Sequence, residues 1–395
     1  MGDTKRQFNN LYSKFSQRFK KPFDNIGLLM EVGFTDSDFV NKFKELYYYL
    51  WLQIEKEYHY WKKKNEKILK LGKQSRYNFP KPENFVLYKS IHVRNKYRKS
   101  HLSGERLSQQ VKENLLKELK LKNEKKILKQ SEHEFEKLKL IQEITPDFIK
   151  EFINEYFKIK NVSDESINRK HEIIQEVSKY KSTETVAFFQ KVNAIEKNYN
   201  LKKEAFQILQ RMNEKVILRR KSKGKKKEMN ELISKIEENP DKLLHRIYND
   251  SLEVIKDFDF FISHSSNDET EIITIYKLLN KQGFHVYIDW VNDKYALTRD
   301  LVNENTAHVL TERLLKAKNL FYYHTSDSTK SQWIPWELGY FHALGKSIFV
   351  FNPKDLPIPE FVKLYNTVKV VDSQFYVCNN SKSIKLNDWI LTNSK

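Results

Sequence analysis

Cysteine is almost absent from this chain of 395 residues: Cys378 is the single one, so no disulfide can form within the chain. A reducing compartment is the natural place for such a protein. The sequence also lacks an apolar run near the roughly twenty residues that span a bilayer, and it does not open with the apolar core of a signal peptide. We therefore predict a cytoplasmic protein with no membrane partner.

Three common kinds of chemical site are missing as well. The sequence has no glycine-rich phosphate loop, no paired cysteines and no His-Glu spacing typical of a metal site. Several histidines are scattered singly along the chain, and isolated histidines are more typical of surface or core positions than of ligands. We predict no metal site. The isolated histidines of the first part of the chain are His92, His101, His133, His171 and His245.

Positive charge is in excess, and all of the excess lies before residue 257. Residues 257–395 contain 15 Lys and Arg against 16 Asp and Glu, whereas residues 1–256 contain the remaining 56 basic and 36 acidic side chains, a net charge of +20. Such a field favours an anionic partner, of which nucleic acid is the obvious one. The alternative is that lysine simply solvates long helices, because the charge is spread rather than clustered.

Residues 1–250 have the apolar spacing of helices and predict an all-α domain. Asp36 to Leu71 predicts one helix, with Ser37 or Asp38 as its cap and Gly72 as its stop; its aromatic stripe is more typical of a core than of a base-stacking surface. The segment Lys89 to His101 interleaves basic and aromatic residues and is the best nucleic-acid candidate, although a solvated linker explains it equally well. Further helices are predicted at 105–144, 163–181, 183–198, 200–218, 228–238 and 241–255, with a basic loop at 219–227.

From residue 257 onward, apolar strands alternate with amphipathic helices, which is the pattern of parallel strands joined by helical crossovers. The predicted fold class is therefore α/β with a flavodoxin-like parallel sheet at the C-terminus, preceded by a large all-α domain. The first predicted strand begins at residue 258, and the next four lie at 285–290, 320–324, 347–351 and 367–371. Helices are predicted at 272–279, 301–315, 336–344 and 384–391.

Ligands of such sheets bind beyond the carboxyl ends of the strands, where Ser263, His264, Asp289, Thr325 and Glu337 are expected. Glu337 is the candidate for chemistry, because it enters an apolar helix start where packing alone does not ask for an acid. The alternative for Glu337 is an acid in the first helical turn that complements the helix dipole.

Three motifs in order resemble the Toll/interleukin-1 receptor (TIR) domain in its bacterial form. They are Phe-Ile-Ser-His at 261–264, Val-Tyr-Ile-Asp at 286–289 and Trp-Ile-Pro-Trp-Glu-Leu at 333–338. The resemblance covers residues 257 to about 393. It implies cleavage of NAD+ at the nicotinamide glycosidic bond, with NAD+ as the substrate and no separate cofactor.

The same resemblance implies roles for individual residues. Glu337 is expected to be catalytic, and Trp333 is expected to line the nicotinamide site, although an ordinary core tryptophan is the alternative. Ser263, His264, Asp289 and Trp290 are the other residues expected to contact NAD+. TIR domains are also expected to associate with one another through the loop at 289–300, whose residues 289–299 lack the glycine often found there.

The chemistry agrees with these residues independently of the resemblance. Breaking a ribosyl bond to a cationic pyridinium passes through an oxocarbenium-like transition state, which a nearby carboxylate stabilises. We predict a basic helical regulatory or partner-binding domain at 1–250 and a TIR-like NAD+ glycohydrolase at 257–395, similar to bacterial antiphage effectors that deplete NAD+. The alternatives are a non-enzymatic TIR adaptor and a nucleic-acid-binding module with a TIR output domain.

Overall fold

A computed structural model describes residues 3–160, 163–216, 239–293, 297, 303–379 and 382–393. The chain separates into two compact units, Met1–Glu136 and Lys137–Lys395. The boundary predicted between residues 250 and 257 falls inside the second unit, which therefore holds helices as well as the sheet. Within the described ranges, no helix is both long and apolar enough to cross a membrane.

The first unit is helical, as predicted, and its core is aromatic. Phe19, Phe39 and Phe43 are fully buried there, with Trp61 only 1% exposed. The aromatic stripe predicted to belong to a core is therefore confirmed as core. The helices are α1 (Asp3–Gln17), α2 (Lys20–Leu29), α3 (Asp36–Leu46), α4 (Tyr48–Leu69), α5 (Pro82–Leu102) and α6 (Gln109–Leu138).

The single helix predicted over Asp36 to Leu71 is two helices, so that prediction was wrong. Tyr47 has φ −133° and ψ 42°, far from helical values, and separates α3 from α4. Its buried ring stacks on Phe43, and its hydroxyl accepts a hydrogen bond from Asn25 Nδ2 at 2.7 Å. Tertiary packing at this tyrosine therefore overrides a continuous helical pattern.

The start of α3 also differs from the prediction. Thr35 is the cap, not Ser37 or Asp38: its Oγ1 accepts from the Asp38 N–H at 3.2 Å, and the Asp38 carboxylate accepts from the Thr35 N–H at 2.8 Å. This reciprocal pair is a capping box. The predicted stop after α4 is confirmed, because Gly72 has φ +68°, a conformation that glycine adopts without strain.

The basic segment Lys89 to His101 lies inside helix α5, so its interpretation as a solvated linker was wrong. Arg94 is buried and donates to the Asp36 carboxylate, and Arg98 donates to the same carboxylate at 2.5 Å. These two guanidinium groups already have a partner within the protein. Nucleic-acid binding by this segment stays a prediction, and it would fall to the segment's lysines.

The helices that follow belong to the second unit. The helices predicted at 163–181, 183–198 and 200–218 are confirmed and end earlier than expected, and residues 219–227 and 228–238 lie outside the described ranges. The single helix predicted at 241–255 is two helices, so that prediction was wrong: Asp250, with φ −95° and ψ 116°, ends the first, and its carboxylate accepts from the Leu252 N–H at 2.9 Å to begin the second. The helices are α7 (Ile149–Lys158), α8 (Asp164–Val177), α9 (Thr183–Ile195), α10 (Tyr199–Arg211), α11 (Pro240–Asn249) and α12 (Ser251–Val254).

The sheet of the second unit has seven strands within the described residues, in the order β2-β1-β3-β4-β5-β6-β7. The first five run parallel, which confirms the flavodoxin-like order. The strands are β1 (Phe258–Ser263), β2 (Val286–Tyr287), β3 (Ala317–Tyr323), β4 (Ser347–Phe351), β5 (Asn366–Val371), β6 (Gln374–Asn379) and β7 (Lys382–Lys385). The helices around it are α13 (Glu269–Lys281), α14 (Asp289–Asn292), α15 (Glu304–Lys316), α16 (Trp333–Ala343) and α17 (Leu386–Asn393).

The antiparallel strands β6 and β7 were not predicted. Strand β5 turns back into β6 through Asp372 and Ser373, which have φ values of 48° and 60°. Such a two-residue turn normally carries Asn-Gly or Asp-Gly, so Asp-Ser gave no turn signal in the sequence. Because β7 occupies residues 382–385, α17 begins at Leu386 rather than at the predicted Ile384.

A side chain rather than a further strand occupies the outer edge of β2. Gln142 Nε2 donates to the Val286 carbonyl at 3.0 Å, and Gln142 Oε1 accepts from the Val286 N–H at 3.1 Å. The same Oε1 accepts from Asn280 Nδ2 on α13 at 2.7 Å. These bonds attach the chain that follows α6 to the sheet, which accounts for helices and sheet forming one compact unit.

Candidate active site

The loop end of strand β1 and helix α16 meet at two buried polar residues. Ser263 is the last residue of β1, and its Oγ donates to Glu337 Oε2 at 2.5 Å. Glu337 is 7% exposed, and Ser263 is 1% exposed. Glu337 is the fifth residue of α16 and lies beyond the first turn, so the interpretation of Glu337 as a first-turn acid was wrong.

The environment of Glu337 favours its protonated form. Burial raises the pKa of Glu337, the hydrogen bond from Ser263 lowers it, and the negative charge of Asp289 raises it further, to about 7. Burial outweighs the hydrogen bond because an ionised carboxylate loses its hydration there. A carboxyl group with a pKa near neutrality can both lose and accept a proton at physiological pH, which general acid-base chemistry requires.

Asp289 and Trp290 lie in the short helix α14 and not in a strand, so the strand predicted at 285–290 was too long: β2 ends at Tyr287, and Ile288 precedes the first turn of α14. Asp289 begins α14, and its Oδ1 accepts from the Trp290 N–H at 2.8 Å. The predicted contacts of the rest of this loop, residues 294–296 and 298–302, lie outside the described residues.

His264 and Trp290 form a hydrogen-bonded pair across the strand ends. Trp290 Nε1 donates to His264 Nε2 at 2.8 Å, and His264 Nδ1 lies 3.1 Å from the Ile262 carbonyl oxygen. An indole nitrogen can only donate, so Nε2 carries the lone pair and the proton is on Nδ1, which donates to Ile262. The neutral imidazole of His264 thus holds the indole of Trp290 in place by accepting its hydrogen bond.

Trp333 begins helix α16 and lies one turn before Glu337. It is 37% exposed, so it is not a core tryptophan. Its ring meets Trp336 edge-on at 5.8 Å, and Trp336 in turn stacks on Tyr340 at 5.8 Å. Trp336 and Tyr340 thus support one side of the Trp333 ring, which remains partly exposed to solvent. Contact of Trp333 with nicotinamide stays a prediction.

Thr325, also expected at the strand ends, does not contact Glu337 through its hydroxyl. Thr325 Oγ1 donates to Asp268 Oδ2 at 2.8 Å and accepts from the Ser328 N–H at 3.0 Å. It therefore joins the loop after β3 to the loop after β1. Asp268 was missed in the sequence, where it is one acid in a polar run that resembles any helix start.

The site as a whole combines a buried carboxyl group, a serine hydroxyl, a second acid and open aromatic surface. Such a carboxylate stabilises positive charge that develops on a bound substrate, and aromatic faces suit a planar cationic ring. The described residues contain no cluster of His, Cys, Asp or Glu that could hold a metal ion.

Comparison with known proteins adds two relatives, and no protein-family model matches the chain. The chain is 32% identical over 358 residues to "Putative cyclic ADP-D-ribose synthase TIR2" of Cytobacillus dafuensis, which covers 90% of this chain and 93% of that protein. It is 38% identical over 95 residues to "Probable 3' cyclic ADP-D-ribose synthase ThsB'" of Bacillus cereus strain MSX-D12, covering 24% of this chain and 49% of that protein.

Proposed function

Because the chain belongs to the Toll/interleukin-1 receptor (TIR) domain family, we propose that it is an enzyme that cleaves NAD+ at the nicotinamide glycosidic bond. The observation that carries this proposal is the carboxyl group of Glu337, buried at the strand ends, bonded to Ser263 and given a pKa of about 7 by burial. A purely adaptor role does not require a buried acid without a compensating cation, which is costly to keep.

In the proposed reaction, the bond between ribose C1 and the nicotinamide nitrogen breaks, and its electron pair leaves with nicotinamide. Positive charge then spreads over C1 and the ring oxygen, where ionised Glu337 opposes it. Nicotinamide leaves as a neutral molecule, so the leaving group needs no proton. Trp333 offers the aromatic surface against which the pyridinium ring would lie.

The same intermediate leads to two kinds of product. Attack by water adds a hydroxyl group to C1 and releases a proton, which gives ADP-ribose. Attack by a nucleophilic atom within the ADP-ribosyl group closes a ring instead, and any proton released can pass to Glu337. The names of both relatives support a cyclic ADP-D-ribose as the product.

The experiment follows NAD+ and its products with purified full-length protein. We expect wild type to consume NAD+. Glu337→Gln, which keeps the shape and the acceptor for Ser263, should lose about a hundredfold to a thousandfold in turnover. Glu360→Gln is the matched control, because this glutamate side chain is 87% exposed. Retained turnover in Glu337→Gln would contradict the role proposed for Glu337. No consumption of NAD+ by wild type would contradict the proposal and leave the adaptor role standing.

We further propose that the enzyme acts in bacterial defence, with the helical part receiving the trigger and TIR domains completing the site by self-association. The support is the TIR resemblance and the excess positive charge of residues 1–256, which would oppose close approach of copies until an anionic partner neutralises it. The specific rate should therefore rise with protein concentration and with added RNA or DNA at low salt. A rate per molecule that is constant under all these conditions would contradict regulated assembly.

A further inference from the structure

The short helix α14 is held at its C-terminal end by residues from elsewhere in the second unit. Lys179 Nζ, beyond the end of α8, donates to the Asn292 carbonyl at 2.8 Å. The next residue, Asp293, accepts from Arg313 Nε of α15 at 2.8 Å and from Arg313 Nη2 at 3.1 Å. Lys179 and Arg313 thus bind two consecutive residues, Asn292 and Asp293, at the end of the helix that carries Asp289 and Trp290.

Behind these contacts lies a continuous chain of charges, all of them buried except Lys179, whose side chain is 23% exposed. Lys179 lies 2.6 Å from Glu176, and Glu176 lies 3.0 Å from Lys256. Lys256 lies 2.5 Å from Glu253, which lies 3.2 Å from Arg313. Opposite charges alternate along the chain, so each ion is compensated and the lysine ammonium is fixed where it meets Asn292.

The α14 turn is too short and too well bonded to absorb a displacement at one end. The Val291 and Asn292 N–H groups donate to the Ile288 carbonyl at 3.1 and 2.8 Å, and the Asp293 N–H donates to the Asp289 carbonyl at 2.9 Å. Movement of Asn292 therefore carries Asp289 and Trp290 with it. Those two residues face the site, one through its charge on Glu337 and the other through its bond to His264.

We propose that Lys179 is a positioning residue of the NAD+-cleaving site: by holding the end of α14 it places Asp289 and Trp290 relative to Glu337 and His264. This inference rests on the proposed function for its catalytic consequence, but its structural part does not. Through this contact, the helical residues that precede the sheet act directly on the geometry of the site. Lys179 touches no substrate atom in this scheme and acts only through α14.

The test replaces Lys179 by methionine, which keeps the length of the side chain and removes the ammonium group. Glu176 keeps Lys256 as a partner, so no buried carboxylate is left uncompensated. The matched control is Lys170→Met, which breaks the ion pair with Glu196 at 3.2 Å, similarly shielded in the same unit but without a contact to α14. Lys179→Arg serves as the rescue variant.

We expect Lys179→Met to lose about tenfold or more in kcat/KM, because small displacements of reacting groups have large effects on rate. Its melting temperature should fall no further than that of Lys170→Met, which should keep its kcat/KM. Removing Asp289 from its place also lowers the pKa of Glu337, so the acid limb of the pH profile should move to lower pH in Lys179→Met alone. Lys179→Arg should restore both rate and profile.

Hydrogen exchange separates this inference from the proposed function. The amides of residues 291–293 should exchange faster in Lys179→Met than in wild type and in Lys170→Met, whether or not NAD+ is consumed. Unchanged exchange in Lys179→Met, or equal losses of kcat/KM in both methionine variants, would overturn the inference. Absence of NAD+ consumption by wild type would instead overturn the proposed function.

Discussion

One buried glutamate of the second unit, Glu337, has electrostatic surroundings opposite to those of two others, Glu176 and Glu253. Glu337 is buried beside a hydroxyl group and another acid, and burial raises its pKa to about 7. Burial also acts on Glu176 and Glu253, but lysines and an arginine outweigh it: Lys179 and Lys256 bring the pKa of Glu176 to about 2, and Lys256 and Arg313 hold that of Glu253 well below its usual range.

Glu337, the acid proposed for chemistry, thus differs from Glu176 and Glu253, the acids that hold structure. Compensated ions hold elements together, whereas an uncompensated acid costs stability and is retained where its proton or charge is used. The two also respond oppositely to pH. The free energy of unfolding falls as pH rises from 4.5 to about 7, because Glu337 ionises in the unfolded chain before it does in the fold. Glu176 and Glu253 stabilise the fold above pH 4.5 and lose that contribution as pH falls.

The largest effect is expected when one cation is removed from the buried ion pairs. Arg313→Met should lower the free energy of unfolding by about 3 to 5 kcal/mol, because Asp293 and Glu253 would both lose their guanidinium partner. Lys318→Met is the control: its side chain is 60% exposed, and the loss should stay under about 1 kcal/mol. Urea unfolding measures both. Similar losses in the two variants would mean that the buried ions contribute no more than surface pairs.

The second way is to remove the charge of the uncompensated acid. Above pH 7, Glu337→Gln should raise the free energy of unfolding by about 3 kcal/mol, since the pKa of Glu337 is about 7 in the fold against 4.5 for its ordinary value. Below pH 4.5 wild type and variant should be equal, because both are then neutral at this position. Urea unfolding across this pH range checks the difference, and a destabilised variant at high pH would contradict it.

A third prediction sharpens the pKa of Glu337 through activity. If ionised Glu337 is the working form, kcat/KM should fall about tenfold per pH unit below pH 7. Ser263→Ala removes the hydrogen bond that lowers this pKa, so the acid limb should move to higher pH. A limb that stays in place in Ser263→Ala would show that a different group controls it.

The smallest expected effect concerns Trp333, which supplies surface rather than charge. Trp333→Ala should reduce kcat/KM about tenfold, roughly 1.4 kcal/mol, with at most about 1 kcal/mol lost in stability. Trp389→Ala is the contrasting variant, because Trp389 meets Phe349 of the core at 5.0 Å and should affect stability rather than rate. If the loss of kcat/KM relative to the loss of stability were the same in both variants, Trp333 would be a structural residue.

The parallel sheet and the place of the candidate site could be predicted from the sequence, whereas several tertiary contacts could not. The five parallel strands follow from local apolar runs, and topology then places Ser263 and Glu337 at one edge of the sheet. The helix break at Tyr47 was missed because tertiary contacts determine it. The turn at Asp372 and Ser373 was missed because its residues are unusual for a two-residue turn. The chain of structural ions escaped because its links are distant in sequence: Glu176 meets Lys256 and Glu253 meets Arg313, and a charge pattern does not show such pairs.

The side chain of Gln142 has a consequence for how copies of this protein can meet. An edge strand with free N–H and C=O groups invites a strand of another molecule to pair with it. At β2, both backbone groups of Val286 are bonded to Gln142, and the Ile288 N–H donates to Asn292 Oδ1 at 2.9 Å. Strand addition at this edge would first have to displace the side-chain amides of Gln142 and Asn292, so we expect copies of this protein not to extend the sheet at β2 and to meet through other surfaces.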